Sequence, residues 1–138
     1  MSDAAPESRD TAPVIVLVVE DEQLIQESLG TALEEAGFAV IFASNGGEAL
    51  QSLEQEGGDP VRALVTDVDL GTEITGWNVA KRARELHPDM AVAYITGGSA
   101  DEWSAHGVPK SILITKPFAP AQVVTAVSQL LNAAPPAA

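Results

Sequence analysis

The chain has no cysteine, which rules out disulfides, Cys-ligated zinc and thiol catalysis. It is also poor in cations. Seven Lys and Arg stand against twenty Asp and Glu, for a net charge of -13. Such a surface repels phosphate backbones, so nucleic acid is excluded as the expected partner, while a metal cation or a basic patch on another protein suits it. No apolar run approaches the roughly 20 residues needed to span a bilayer, so no membrane association is expected. Met1 to Pro13 is polar and acidic, without the basic and apolar regions of a signal peptide, and the expected location is the cytoplasm. Aromatics are scarce, with two Trp, one Tyr and three Phe. A chain that is 46% hydrophobic must then build its core from Val, Ile, Leu and Ala, as parallel sheets buried under helices do. Its 138 residues suit one domain.

What is present is an alternation of short apolar runs with helical patterns. Residues 1–12 read as a disordered lead-in and 133–138, with Pro135-Pro136, as a frayed tail, leaving one domain over 13–132. Val14 to Val19 is a β-branched run typical of a strand buried on both faces. Leu24, Ile25, Leu29, Ala32, Leu33 and Ala36 follow helical spacing, with Gly37 as the stop. Ala39 to Ala43 is a second strand, and Asn45-Gly46-Gly47 opens a helix that ends at Gly57-Gly58. Arg62 to Thr66 is the third strand; Val79, Ala80, Ala83 and Leu86 mark a third helix ending before Pro88. Ala91 to Ile95 is the fourth strand. Asp101 to His106 holds only a short helix, stopped by Gly107 and Pro109. Ile112 to Thr115 and Ala119 to Leu131 complete the pattern, with Pro120 in the last helix's first turn. Five β–α units with short connections predict a doubly wound α/β fold, flavodoxin-like, with a five-stranded parallel sheet of order 2-1-3-4-5 and a shortened fourth helix.

In such a sheet the ligand lies beyond the carboxyl ends of the strands. Strand one runs into Glu20-Asp21-Glu22, strand three into Asp67 and then Asp69. Strand four runs into Thr96-Gly97-Gly98, and strand five into Lys116-Pro117-Phe118. Converging carboxylates repel one another unless a cation neutralises them. Mg²⁺, a hard ion that keeps waters and receives phosphate, fits that role, and Mn²⁺ is a plausible substitute. A carboxylate beside it can attack phosphorus to form an acyl phosphate. Lys116 then supplies an ammonium and Thr96 a hydroxyl to the phosphoryl oxygens, and Gly97 leaves room for an in-line donor. Each signal alone has a plainer reading. The acidic run could be helix N-terminal charge, Thr-Gly-Gly an ordinary turn, and Lys-Pro-Phe a strand end. Their order at the correct strand ends is what is specific.

Val-Val-Glu20-Asp21-Glu22, Leu-Val-Thr-Asp67-Val-Asp69-Leu, Tyr94-Ile-Thr96-Gly97 and Thr115-Lys116-Pro117-Phe118 together resemble the receiver domains of two-component response regulators, over roughly Val14 to Leu131. The resemblance implies Asp67 as phosphoacceptor, Asp21 as direct metal ligand and Glu20 as its acidic neighbour. It also implies the Asp69 backbone carbonyl as a third protein ligand, Thr96 as switch hydroxyl and Lys116 as phosphate-binding lysine. Lys116-Pro117 becomes an expected cis peptide, a form taken by roughly 5–6% of X–Pro bonds. Three departures stand out. Glu20 replaces the commoner Asp. The loop after Asp67 lacks the usual Pro and is one residue longer before Gly76. Leu113 occupies the place of the switch aromatic, three positions before the lysine. With the short fourth helix, these features resemble a subgroup of single-domain receivers with a reduced α4 region. They imply readout through ordering of Gly97–Pro109 instead of ring rotation.

The implied function is a stand-alone response regulator that takes its phosphoryl group from a histidine kinase or a histidine phosphotransfer protein. With no effector domain after Leu131, it would signal by protein–protein contact or phosphorelay, as a monomer or weak dimer. Its chemistry would be self-directed, not that of a conventional enzyme. The output surface would centre on Trp103, Leu113 and the Gln122 to Gln129 face. Rival readings exist. Asp67-Val68-Asp69 mimics the Asp-x-Asp of haloacid-dehalogenase-like phosphatases, although that motif normally closes the first strand. A phosphorylation-independent receiver-like module would have little use for Asp67, Asp21, Thr96 and Lys116 together. A flavodoxin would need a Ser/Thr-rich phosphate loop after strand one. His87 and His106 lie next to helix ends without metal-site neighbours. Trp77 is expected to pack at the start of the third helix, and Trp103 either in the core or as a partner anchor.

Overall fold

A computed structural model describes residues 12–55 and 60–133. The elements alternate as β1 (Ile15–Val19), α1 (Gln23–Glu35), β2 (Ala39–Ala43), α2 (Gly46–Glu54), β3 (Val61–Asp67), α3 (Gly76–Leu86) and β4 (Ala91–Thr96). A 3-10 turn (Ala100–Glu102) then leads into α4 (Trp103–His106), followed by β5 (Ile112–Thr115) and α5 (Pro120–Ala133). All strands are parallel, in the order 2-1-3-4-5. The doubly wound fold and its reduced fourth helix are as the sequence predicts.

Strand residues alternate between two cores because successive side chains point to opposite faces. Leu17, Val19, Leu64, Val92 and Tyr94 pack with Ala49 and Leu53 of α2 and with Val79, Ala80 and Ala83 of α3. Val16, Val18, Val65, Ala93, Ile95 and Ile114 pack on the other face with Leu29 and Leu33 of α1 and Val123, Ala126 and Val127 of α5. Burial on both faces explains why β1 reads as an unbroken aliphatic run. The alanines at 63, 91 and 93 keep the second core thin where α5 lies over β3 and β4.

Boundaries shift by small amounts from the sequence reading. β3 runs one residue further at each end, to Asp67, and β4 extends to Thr96, so both residues remain in the ladder. α3 begins at Gly76, one residue before the Trp77 expected at its start, because Thr75 caps it: the Thr75 hydroxyl accepts from Asn78 N–H and the Asn78 side chain accepts from Thr75 N–H. α1 stops where expected, at a Gly37 with φ of 100°. α5 continues to Ala133, two residues past the expected end. The expected helix stop at Gly57-Gly58 and the two proposed tails fall outside the described residues, apart from Ala12 and Ala133 at their edges.

Candidate functional site

The carboxyl ends of β1, β3, β4 and β5 each deliver a polar residue to one edge of the sheet, and main-chain bonds continue the ladder far enough to fix them. Glu20 N–H donates to Ala43 O at 3.0 Å, Val68 N–H to Ile95 O at 2.9 Å, and Lys116 N–H to Thr96 O at 2.8 Å. The polar side chains thus stand on backbone as rigid as the sheet. The Lys116–Pro117 peptide is cis, as expected.

Carboxylate oxygens of Glu20, Asp21 and Asp67 all lie within 4.8 Å of one another. Glu20 is completely buried, Asp67 nearly so, and Asp21 is exposed. Glu20 Oε2 accepts from Glu22 N–H at 3.1 Å. Among the described residues its Oε1 is buried without a hydrogen-bond partner, and the nearest cation, Lys116 Nζ, is 3.9 Å away. Burial in the first place, and then the Asp67 charge, push the Glu20 carboxyl up to about 7, against the Glu22 N–H and Lys116. Asp67 is raised for the same leading reason, burial, with Lys116 and the Asp69 N–H opposing. A buried oxygen lacking a partner amid like charges is what a hard oxygen-binding cation satisfies, so these residues fit Mg²⁺. The Asp69 carboxylate is not part of the cluster. It turns to Gly71 N–H at 3.4 Å, while the Asp69 N–H donates to Asp67 Oδ1 at 3.2 Å.

Lys116 spans the mouth of the site. Its Nζ donates to Asp67 Oδ2 at 3.2 Å and pairs with Glu22 at 3.5 Å. Partial burial pulls the Lys116 ammonium down, but Asp67, Glu20 and Glu22 outweigh it and hold it above its ordinary value. Thr96 is buried, and its hydroxyl oxygen accepts from Ser99 N–H at 2.8 Å and Gly98 N–H at 3.3 Å. The cleft between these groups has a volume of about 500 Å³ and is lined by Asp21, Asp67, Asp69, Gly97, Ser99 and Lys116 among others. A separate cavity of about 310 Å³ at the opposite end of the strands carries no such chemistry. Its guanidinium, Arg84, is committed to the carbonyls of Met90, Pro109 and Lys110.

Glu20, Asp21, Asp67, Asp69, Thr96 and Lys116 therefore meet at one edge. Two contributors do not stand out in the sequence. Glu22, there only part of an acidic run, reaches Lys116. Gly76, there only the end of a loop, presses against the Asp67 carbonyl. A Cβ there would collide with Asp67 O and come within 2.8 Å of Val68 Cα. The longer loop closes without proline by burying Val68 and Leu70 and by Gly76 N–H donating to Val68 O at 2.9 Å.

The tempting aromatics and histidines fall elsewhere. Trp77 is buried against Tyr94, ring centroids 4.6 Å apart. Tyr94 is fully buried, and its hydroxyl accepts from Val108 N–H at 3.0 Å. Trp103 is half-exposed, its indole N–H donating to Ser111 Oγ at 3.0 Å. His87 ends α3, and His106 is exposed at the end of α4. No described helix is long and apolar enough to cross a membrane.

Comparison with known proteins agrees with this geometry. The family model described as "Response regulator receiver domain" matches residues 16–128. The chain is 32% identical to the response regulator receiver protein CpdR of Brucella abortus, with 86% of this chain and 98% of that one covered. It is 34% identical to part of the sensor kinase CckA of the same organism, covering 85% of this chain but only 12% of the kinase. The crystal structure of a response regulator receiver protein from Sinorhizobium medicae superposes with a TM-score of 0.85 at 41% identity, covering 90% and 98% of the two chains. A five-stranded sheet in 2-1-3-4-5 order, an acidic cluster facing one lysine, and these likenesses converge on one conclusion: the chain belongs to the response regulator receiver family.

Proposed function

We propose that Asp67 accepts a phosphoryl group from a phosphohistidine of a histidine kinase or histidine phosphotransfer protein, in a Mg²⁺-dependent reaction. A carboxylate oxygen of Asp67 forms the new O–P bond as the P–N bond breaks, and the electron pair of that bond stays on the imidazole nitrogen. Asp21, Asp67, Glu20 and the Asp69 carbonyl would hold the cation, with Mn²⁺ as a substitute. When bound, it offsets the crowded carboxylates and the charge on the phosphoryl oxygens. Lys116 is already 3.2 Å from the acceptor, close enough to bind those oxygens once they arrive. The observation that carries this reading is the buried Glu20 Oε1, without a hydrogen-bond partner among the described residues and facing Asp21 and Asp67.

A protein phosphodonor has a surface to use. Leu24, 80% exposed, lies with Ile25, Ser28, Pro117, Phe118 and Pro120 around an apolar cavity that also reaches Lys116. An exposed leucine beside the acceptor site favours docking by another protein. Output would pass by protein contact or phosphorelay, through the surface of Trp103, Leu113 and the Gln122–Gln129 face of α5. Thr96, drawn to the phosphoryl group, would give up its bonds to Gly98 and Ser99, so the readout would be a change of order in Gly97–Pro109. A cytoplasmic setting follows from that phosphodonor. Domain bounds of 13–132 and a monomer or weak dimer complete the proposal.

Phosphate-affinity gel mobility after incubation with acetyl phosphate tests it. A shift that needs both Mg²⁺ and Asp67, and is absent in Asp67→Asn, is the expected result. If no shift occurs and beryllofluoride leaves the amide spectrum unchanged, the reading fails. Identical amide exchange in Gly97–Pro109 with and without beryllofluoride would sink the readout alone.

A further inference from the structure

Glu20 is the buried member of the acidic cluster, and three hydrogen bonds hold it. Its N–H is on Ala43 O, where β1–β2 pairing ends, and its Oε2 is on Glu22 N–H. Its carbonyl, past the last strand partner, accepts from Gln26 Nε2 at 2.6 Å. Gln26 is half-buried in the first turns of α1, and the same Nε2 lies 3.4 Å from Ser44 Oγ. One amide side chain therefore links the end of β1 to the β2–α2 loop. The carbonyl of Glu20 and the N–H of Asp21 belong to one rigid peptide plane. Fixing that carbonyl fixes where the carboxylates on both sides of the plane leave the backbone.

We propose that Gln26 is a positioning residue for the cation site. By holding the Glu20–Asp21 peptide it keeps Glu20 Oε1 and the Asp21 carboxylate converged on Asp67, and so sets the affinity for a divalent cation. This rests on the metal reading given under Proposed function. Without the Gln26 donor, the carbonyl must turn to find water, and the two carboxylates turn with it. Partners that orient metal ligands are typically worth about 10–100-fold in affinity.

The test is Mg²⁺ titration of the full chain, followed by amide chemical shifts, for wild type, Gln26→Met, Gln26→Glu and Asn45→Ala. Methionine keeps the length and helix propensity of Gln26 but removes the donor. Glutamate also removes the donor, and adds a charge that by itself would draw Mg²⁺ closer. Asn45→Ala removes the cap of α2, whose side chain accepts from Glu48 N–H, without touching the cluster. Expected results are a Kd weaker by at least ~10-fold in Gln26→Met, a weaker Kd in Gln26→Glu despite its charge, and an unchanged Kd in the less stable Asn45→Ala. Wild-type affinity in Gln26→Met, or tighter binding in Gln26→Glu, overturns the positioning role and leaves the metal reading standing. A wild-type chain that binds no Mg²⁺ overturns both.

Discussion

Raising the pH of the metal-free protein from below 5 to 8 should weaken its fold, with Glu20 contributing to the loss. Its carboxyl sits at about 7 in the folded chain against an ordinary 4.5, because burial disfavours the charged form. Between those values the folded protein keeps a proton that the unfolded chain has released. The folded state then binds more protons, and stability falls as pH rises. The stabilisation is fully present below 4.5 and gone above about 7. At ~1.4 kcal/mol per pH unit, that interval is worth about 3 kcal/mol. Asp67 is shifted in the same direction and adds to the slope. Lys116, raised from an ordinary value of 10.5, stays charged throughout and contributes no slope.

Against a typical domain stability of about 5–15 kcal/mol, such a loss is easily measured by urea denaturation in EDTA at pH 5, 6, 7 and 8. Other carboxylates titrate as well, so the informative quantity is the difference between wild type and Glu20→Gln. Glutamine keeps the shape and cannot ionise. The variant should gain on wild type by up to about 3 kcal/mol between pH 5 and 8, and saturating Mg²⁺ should erase wild type's disadvantage. A difference that is flat or opposite in sign over this window would refute the reasoning.

Further outcomes follow from individual contacts. Gly76→Ala should cost about 1–3 kcal/mol in urea denaturation, as overpacking does, and should slow acetyl phosphate labelling because the displaced atoms include the Asp67 carbonyl. Tyr94→Phe removes the acceptor for a buried N–H, so it should cost about 1–3 kcal/mol and speed exchange of the Val108 amide specifically. Lys110 holds a φ of 60°. Lys110→Gly relieves that conformation and should be neutral or stabilising by up to about 1 kcal/mol, whereas a clear loss would show that the lysine side chain contributes more than its backbone costs.

Much of this architecture was readable from periodicity, and the reason is physical. A sheet covered on both faces admits only aliphatic strands, so Val14 to Val19 and Ala91 to Ile95 announce themselves without any partner being known. The site was readable for a related reason: strand ends are fixed points, and Asp67 and Thr96 are the last residues of their strands while Glu20 and Lys116 follow directly on theirs. What could not be read depends on contacts between elements. Thr75 caps α3 through Asn78, outside the usual Glu or Gln pattern, so the cap itself does not show in the sequence. Gly76 beneath the Asp67 carbonyl and Gln26 on the Glu20 carbonyl are pairings across a loop or between a helix and a strand end. Neither residue type announces such a role by itself.

The structure also bears on the missing switch aromatic. Tyr94 and Thr96 project from the same face of β4, two residues apart. The tyrosine ring has no room to act as a rotor, since it is fully buried against Trp77 and its hydroxyl is taken by Val108 N–H. Leu113, its neighbour on β5, is half-buried against the same core and has no ring to move. One strand thus holds both ends of the α4 segment: Thr96 binds Gly98 and Ser99 at its start, and Tyr94 binds Val108 at its end. Of the two, only Thr96 lies at the edge of the sheet where a phosphoryl group on Asp67 could attract it. A change at the acceptor would then be felt first at Gly98 and Ser99, with Val108 still tethered. Amide exchange should separate the two ends on addition of beryllofluoride, altering at 98 and 99 while Val108 stays protected. Equal loss of protection at both ends would mean that the tyrosine tether does not hold.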